Sequence, residues 1–123
     1  MLAKLKSPFS VAHLGMFPAK DGAGQAGFRE FLSFVSGHEA CWVKLTGAYR
    51  ISTAAGFADT VPLARAVIEA APGRVIWGSD YPHLSFADKV DSMQLFGLLK
   101  AWAPDEPLRR RILVDNPRRC FGF

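Results

Sequence analysis

The sequence lacks the features that mark several large classes of protein. Its 123 residues include only two cysteines, Cys41 and Cys120, which lie far apart in the chain. They form no CxxC motif and no cluster with histidine, which argues against a disulfide-stabilised scaffold. Two isolated thiols in a mixed, charged chain suit a reducing compartment. We therefore expect a cytoplasmic protein.

Long apolar runs and a one-sided charge distribution are missing as well. No segment approaches the ~20 apolar residues that cross a bilayer, so we expect no membrane association. The net charge is +4, from 15 Lys plus Arg against 11 Asp plus Glu. The basic residues form no long stripe, so we expect no nucleic-acid partner. The one dense run, residues 109–111 followed by Arg118 and Arg119, is typical of a solvated helix face.

The composition that remains is that of one globular domain. Hydrophobic residues make up 50% of the chain and charged residues 21%, which is an ordinary balance for a globular fold. A chain of this length buries roughly two-thirds of its unfolded surface, enough for one core. We therefore expect a single domain over residues 1–123, without repeats or a linker.

Apolar runs alternate with helical patterns along the chain. Ser10–Leu14, Cys41–Thr46 and Arg74–Asp80 have the composition of buried strands. The spacing of apolar residues predicts helices over about 26–35, 59–71 and 89–102, and a last helix that begins near Pro107 and ends at about Val114. Asn116-Pro117 then predicts a turn. Strands that are apolar throughout and are each followed by a helix indicate a parallel α/β sheet.

Polar residues follow each of the three predicted strands. His13 ends the first, Tyr49 and Arg50 follow the second, and Asp80 and His83 follow the third. The carboxyl ends of parallel strands meet at one edge, where α/β proteins place their sites. A carboxylate base, imidazoles and a guanidinium that can clamp a carboxylate are typical of a hydrolytic site for an anionic carbonyl compound.

Each of these residues also has an ordinary structural interpretation. His13 alone is explained as a core histidine, Arg50 as an exposed loop cation, and Asp80 as a turn residue before Tyr81-Pro82. His83 is equally explained as a surface loop residue. A small doubly wound binding domain is a further alternative, but Gly22-Ala-Gly24 lacks the third glycine of a phosphate-binding loop.

Four segments in order resemble one family. Arg74-Val-Ile-Trp-Gly-Ser-Asp-Tyr-Pro-His83 is similar to the last barrel strand of the amidohydrolase-related family, and 112–123 resembles its closing helix. Val11-Ala-His-Leu-Gly15 and Trp42-Val-Lys-Leu-Thr-Gly-Ala-Tyr-Arg50 resemble two earlier strand ends. The Tyr49-Arg50 pair most resembles the 2-pyrone-4,6-dicarboxylate lactonase branch. The resemblance implies about the last three β/α units of a (β/α)8 TIM barrel.

The resemblance also implies roles for the matching residues. Asp80 would activate the attacking water, and His13 would assist at the scissile carbonyl. Arg50 would bind a substrate carboxylate, with Tyr49 and His83 lining the pocket. If the intact barrel holds a divalent metal such as zinc, His13 and Asp80 would be its ligands. The reaction would be hydrolysis of a lactone or related carbonyl compound that bears carboxylates.

One motif of the family is missing from the sequence. Intact members begin with a strand bearing His-x-His, and the three histidines here are His13, His38 and His83. We therefore expect an incomplete active site, no bound metal in this chain alone, and either self-association or a complementary N-terminal chain. The alternative is a non-catalytic half-barrel that acts through a partner.

Overall fold

A computed structural model describes residues 7–122 and contains a three-stranded parallel sheet. The strands lie side by side in chain order, β1 (Phe9–Val11), β2 (Cys41–Leu45) and β3 (Val75–Trp77). Val11 pairs with Val43, and Val43 pairs with Val75. Parallel neighbours require crossover connections, and helices supply them here. The predicted parallel α/β architecture is confirmed.

Six α-helices accompany the sheet within the described residues. They are α1 (Phe28–Gly37), α2 (Ala48–Ile51), α3 (Val61–Ala70), α4 (Ser92–Trp102), α5 (Glu106–Arg110) and α6 (Asn116–Phe121). Short 3-10 segments cover Ala19–Asp21 and Ala55–Thr60, and a π-helical turn covers Arg111–Asp115. His13–Met16 forms a tight turn in which all four residues have positive φ. Within residues 7–122, none of the helices has the length and apolar character that spanning a membrane requires.

The two faces of the sheet are packed differently. Cys41, Val43 and Leu45 of β2 are fully buried and belong to one core with residues of α1 and α3. Successive strand residues point to opposite faces. Trp42 and Lys44 therefore face away from this core, and the ring of Trp42 lies beneath the guanidinium of Arg119, 5.7 Å from its Cζ.

The end of the chain differs from the sequence-based expectation. Asn116-Pro117 begins α6 and does not form a turn after the preceding helix. Pro117 lies in the first helical turn, where its missing N–H costs nothing. The amide of Asn116 donates to the carbonyls of Pro72 and Val75, each at 2.8 Å. These two bonds hold the start of α6 against the beginning of β3.

Three other features also differ from the sequence-based expectation. The predicted loop after β2 contains α2, which begins at Ala48. The residue before it, Gly47, has a left-handed backbone conformation. The helix predicted from about residue 89 starts at Ser92, because the Asp91 side chain caps it by accepting from the backbone N–H of Gln94 at 2.7 Å. The third strand ends at Trp77, so Asp80 lies in the loop beyond it.

The basic run near the C-terminus is mostly exposed, as predicted, with one exception. Arg109 is half-buried. Its guanidinium donates to the carbonyls of Ala103 and Pro104, each at 2.8 Å. It thereby satisfies backbone acceptors just after the end of α4.

Candidate active site

His13 lies just beyond β1 and is held by the residues that follow β2. Its backbone is left-handed, with φ of 52°, a conformation that is uncommon outside glycine and recurs at functional sites. Its backbone N–H donates to Oγ1 of Thr46 at 3.2 Å, and its Nδ1 lies 2.8 Å from the same oxygen. A Cβ on Gly47 would lie 2.4 Å from Nδ1, so only glycine leaves room for the imidazole.

Asp80 lies beyond β3, and two neighbouring residues of α2 bind its carboxylate. Its Oδ2 accepts from the hydroxyl of Tyr49 and, at 2.8 Å, from Nε of Arg50. Arg50–Asp80 is the one ion pair that the structure describes between residues 7 and 122, and both side chains are about a quarter exposed, 24% and 25%. Asp80 also has a left-handed backbone, with φ of 58°.

The protonation states follow from this pairing. Burial alone would raise the pKa of Asp80, but the hydrogen bonds from Tyr49 and Arg50 outweigh it and lower that pKa. Burial, followed by the hydrogen bond to Asp80, raises the pKa of Tyr49 to about 12. Asp80 is therefore a carboxylate at neutral pH, with a neutral phenol and a guanidinium cation beside it.

His83 lies behind Tyr49. It is 4% exposed, and its ring packs edge-on against Tyr49 and Tyr81, with centroids 5.6 and 5.7 Å apart. Its Nε2 lies 3.4 Å from Oγ of Ser92, a long contact. In this position, His83 supports the Tyr49 ring.

A cavity of about 390 Å³ opens between the ends of the three strands, and we call it the strand-end cavity. His13, Lys44, Thr46 and Asp80 contribute its polar lining, together with Ala12, Ile76, Trp77, Gly78 and Phe121. This volume is within the range of small-molecule sites. His13 and Asp80, from the first and third strand ends, thus share one cavity.

Lys44 and Thr46 are the polar lining residues that the sequence did not identify. Lys44 lies on the face of β2 opposite Val43 and Leu45, and Thr46 directly follows the strand. Strand alternation alone could have placed both on this side of the sheet. Lys44 is half-buried, and no carboxylate of the described residues pairs with it. It therefore gives the cavity a positive charge.

Arg50 and Tyr49 line a second cavity of about 290 Å³ with Lys20, Thr53 and Phe86. The guanidinium carbon of Arg50 lies 5.1 Å from the centre of the Tyr49 ring and 5.6 Å from that of Phe86. Nε binds Asp80, and Nη2 makes one long contact, 3.4 Å, to the carbonyl of Leu84. The rest of the guanidinium fork has donors left for a ligand.

The described residues do not fit a divalent metal. Between residues 7 and 122 no three His, Cys, Asp or Glu side chains come close enough to hold one. The two predicted ligands have other partners: His13 binds Thr46 through Nδ1, and Asp80 binds a guanidinium cation 2.8 Å away. That positive charge opposes a metal ion at the same oxygen. We assign no chemical step to a metal.

Known proteins are similar to this chain in sequence and in fold. 4-Sulfomuconolactone hydrolase of Hydrogenophaga intermedia is 42% identical over 98% of this chain and 41% of its own length. A 2-pyrone-4,6-dicarboxylate hydrolase of Comamonas testosteroni is 33% identical over 90% of this chain and 40% of its own. The crystal structure of a putative 2-pyrone-4,6-dicarboxylic acid hydrolase from Pseudomonas putida is 31% identical, with a TM-score of 0.81 over 94% of this chain and 43% of that one.

These matches confirm the predicted fold, a part of a TIM barrel built from three β/α units. The chain spans about 40% of the length of the curated relatives. The family model described as "Amidohydrolase" matches residues 1–123, that is, every residue of the sequence. The chain belongs to the amidohydrolase family.

Proposed function

We propose that this chain supplies part of the active site of a hydrolase that opens a lactone ring bearing carboxylates. The observation that carries the proposal is the Asp80 side chain, bound by Tyr49 and Arg50 and lining the same cavity as His13. The similar proteins named as hydrolases of a sulfomuconolactone and a pyrone dicarboxylate support the substrate class.

Asp80 is the proposed general base. Both described hydrogen bonds to its side chain reach Oδ2, which leaves Oδ1 to accept a proton from water. The resulting hydroxide attacks the lactone carbonyl, the ring C–O bond breaks, and the proton passes to the departing ring oxygen. His13 stabilises the carbonyl oxygen as negative charge develops on it. The products are a hydroxyl or enol group and a carboxylic acid, which releases its proton to solvent and becomes a carboxylate.

Three cations support the proposal that the substrate is anionic. Arg50 binds Asp80 through Nε, and we propose that its other nitrogens hold a substrate carboxylate, while Tyr49 and His83 shape that side of the pocket. Lys44 supplies charge inside the strand-end cavity. Lys20 lines the second cavity beside Arg50. A dicarboxylate is therefore a better match than a neutral ester.

We propose that further groups come from a complementary N-terminal chain or from a second copy. β1 and β3 each leave one edge unpaired within residues 7–122, and unpaired strand edges favour association. A divalent metal, such as zinc, would require ligands from that second component. The second candidate function, a half-barrel that binds a partner without catalysis, is favoured by the same open edges.

We also propose a cytoplasmic location. Cys41 and Cys120 are both free thiols. Burial raises the pKa of each thiol, so both stay protonated and unreactive. Free thiols are the usual state in a reducing compartment.

The experiment that tests the function is reconstitution. The chain is co-expressed with the N-terminal portion of a similar hydrolase, and opening of 2-pyrone-4,6-dicarboxylate is followed by its ultraviolet absorbance. We expect turnover from the pair and negligible turnover from the chain alone, because positioning of reacting groups can contribute ~7–11 kcal/mol. A folded complex without turnover would favour the non-catalytic alternative.

A further inference from the structure

Thr46 is bound to His13 through both of the contacts described for its hydroxyl. Oγ1 of Thr46 accepts from the backbone N–H of His13 at 3.2 Å, and Nδ1 of the imidazole lies 2.8 Å from the same oxygen. Thr46 is 8% exposed. Within residues 7–122, its hydroxyl makes no other hydrogen bond. Among the described residues, His13 is therefore the hydrogen-bond partner of the Thr46 hydroxyl.

The direction of the second bond follows from counting donors. A threonine hydroxyl has one hydrogen and two lone pairs. If Nδ1 carried the imidazole proton, Oγ1 would accept both bonds, and the hydroxyl hydrogen would have no acceptor among the described residues. A buried donor without an acceptor is costly. Donation from Oγ1 to Nδ1 gives the buried hydroxyl an acceptor, and it puts the proton of the neutral imidazole on Nε2 of the half-buried His13 ring.

Two glycines keep the geometry of this pair tight. A Cβ on Gly47 would lie 2.4 Å from Nδ1 of His13, and a Cβ on Gly78 would lie 3.2 Å from Cγ2 of Thr46. The methyl of Thr46 therefore packs against the residue after β3 while its hydroxyl faces His13. Because a β-branched side chain has few χ1 rotamers, this packing fixes the position of Oγ1 next to His13.

We propose that Thr46 is a positioning residue that holds neutral His13 in the Nε2–H form, with that N–H available to the strand-end cavity. In this form, His13 acts as a hydrogen-bond donor to an oxygen. A metal bound at Nε2 would need the opposite tautomer, with Nδ1–H donating to Thr46. The identification of the oxygen as a lactone carbonyl rests on the proposed function, whereas the tautomer does not.

The test is the nitrogen spectrum of the full chain. Long-range ¹H–¹⁵N correlation of ¹⁵N-histidine-labelled protein, recorded at alkaline pH where ordinary imidazoles are neutral, distinguishes the two tautomers. His38 is an internal control, because its Nδ1 lies 2.9 Å from the carbonyl of Phe34, which can only accept. We expect Nε2–H for His13 and Nδ1–H for His38. Single His13→Gln and His38→Gln variants assign the signals.

Two variants isolate the hydroxyl. Thr46→Val keeps the branched shape but cannot donate, and it should lower the ratio of Nε2–H to Nδ1–H at His13 about tenfold, the effect of one hydrogen bond. Thr46→Ser restores the donor and should restore the ratio. His38 should keep its Nδ1–H pattern in both variants, which shows that the fold is intact.

Two results would overturn the proposal: an Nδ1–H pattern at His13 in the unmodified chain, or an unchanged ratio in a folded Thr46→Val variant. If that variant does not fold, the contrast between His13 and His38 in the unmodified chain still decides. A failure of lactone turnover alongside an Nε2–H pattern would remove the proposed function and leave the role of Thr46 in place.

Discussion

The two faces of the sheet use adjacent residues for different purposes. On one face, Val43 and Leu45 are fully buried among the helices. On the other, Lys44 and Thr46 line the strand-end cavity with His13 and Asp80. Alternation along a single strand thus divides β2 into residues that stabilise the fold and residues that present charge and hydrogen bonds. Substitutions on the two faces should therefore affect different measurements.

The largest expected effect is a loss of stability when a residue is changed on the face of the sheet that contains Val43 and Leu45. Leu45→Ala removes a fully buried side chain and should lower the free energy of unfolding by ~2–5 kcal/mol. Chemical denaturation followed by tryptophan fluorescence measures it. Lys44→Met, one residue away on the other face, is the matched control and should change stability little. Equal losses in the two variants would contradict the division between the faces.

Binding of a dicarboxylate should instead depend on the residues that line the strand-end cavity. Lys44→Met removes the half-buried cation of the cavity and should weaken binding of benzene-1,3-dicarboxylate about tenfold, the scale of one charged contact. Calorimetric titration of the full chain at fixed ionic strength measures this. Lys100→Met, an exposed lysine on α4, has the same charge change and should leave affinity unaltered. Equal weakening in both variants would indicate a general charge effect.

The smallest expected effect is the pH dependence of stability at Asp80. Its pKa is lower in the folded state than its ordinary value of 3.8. Its contribution to stability is therefore present above pH 3.8 and is lost as the pH falls through the lower, folded-state pKa. The stability difference between the unmodified chain and Asp80→Asn should shrink in that acid range. A difference that stays constant on acidification would mean that the Asp80 pairing adds no stability.

The sequence predicted most of the secondary-structure elements, but it did not predict which side chains contact each other. The apolar runs predicted the parallel strands, because burial on both sides of a strand leaves a continuous apolar pattern. The spacing of apolar residues predicted three of the helices. The four-residue α2 was missed, since it is too short to show a periodicity. Asn116-Pro117 was misinterpreted as a turn, because the same dipeptide serves to start a helix.

The candidate site was predicted as a set of residues and without their pairings. His13, Tyr49, Arg50 and Asp80 were identified from strand ends and motif resemblance. That Arg50 and Tyr49 both bind Asp80 depends on α2, which brings their side chains across to the loop after β3. The separation is 30 residues or more in the chain, and no local pattern encodes such a contact. Strand alternation could have identified Lys44 and Thr46.

The most direct test of the account is the turnover of the reconstituted enzyme when Asp80 is changed. Asp80→Asn keeps the size of the side chain and removes the base, so kcat for 2-pyrone-4,6-dicarboxylate should fall ~10²–10⁴-fold. Substrate binding should be largely retained. Circular dichroism and complex formation by size-exclusion chromatography establish that the variant assembles. Full turnover in a correctly assembled Asp80→Asn enzyme would contradict the central claim that Asp80 is the base of this site.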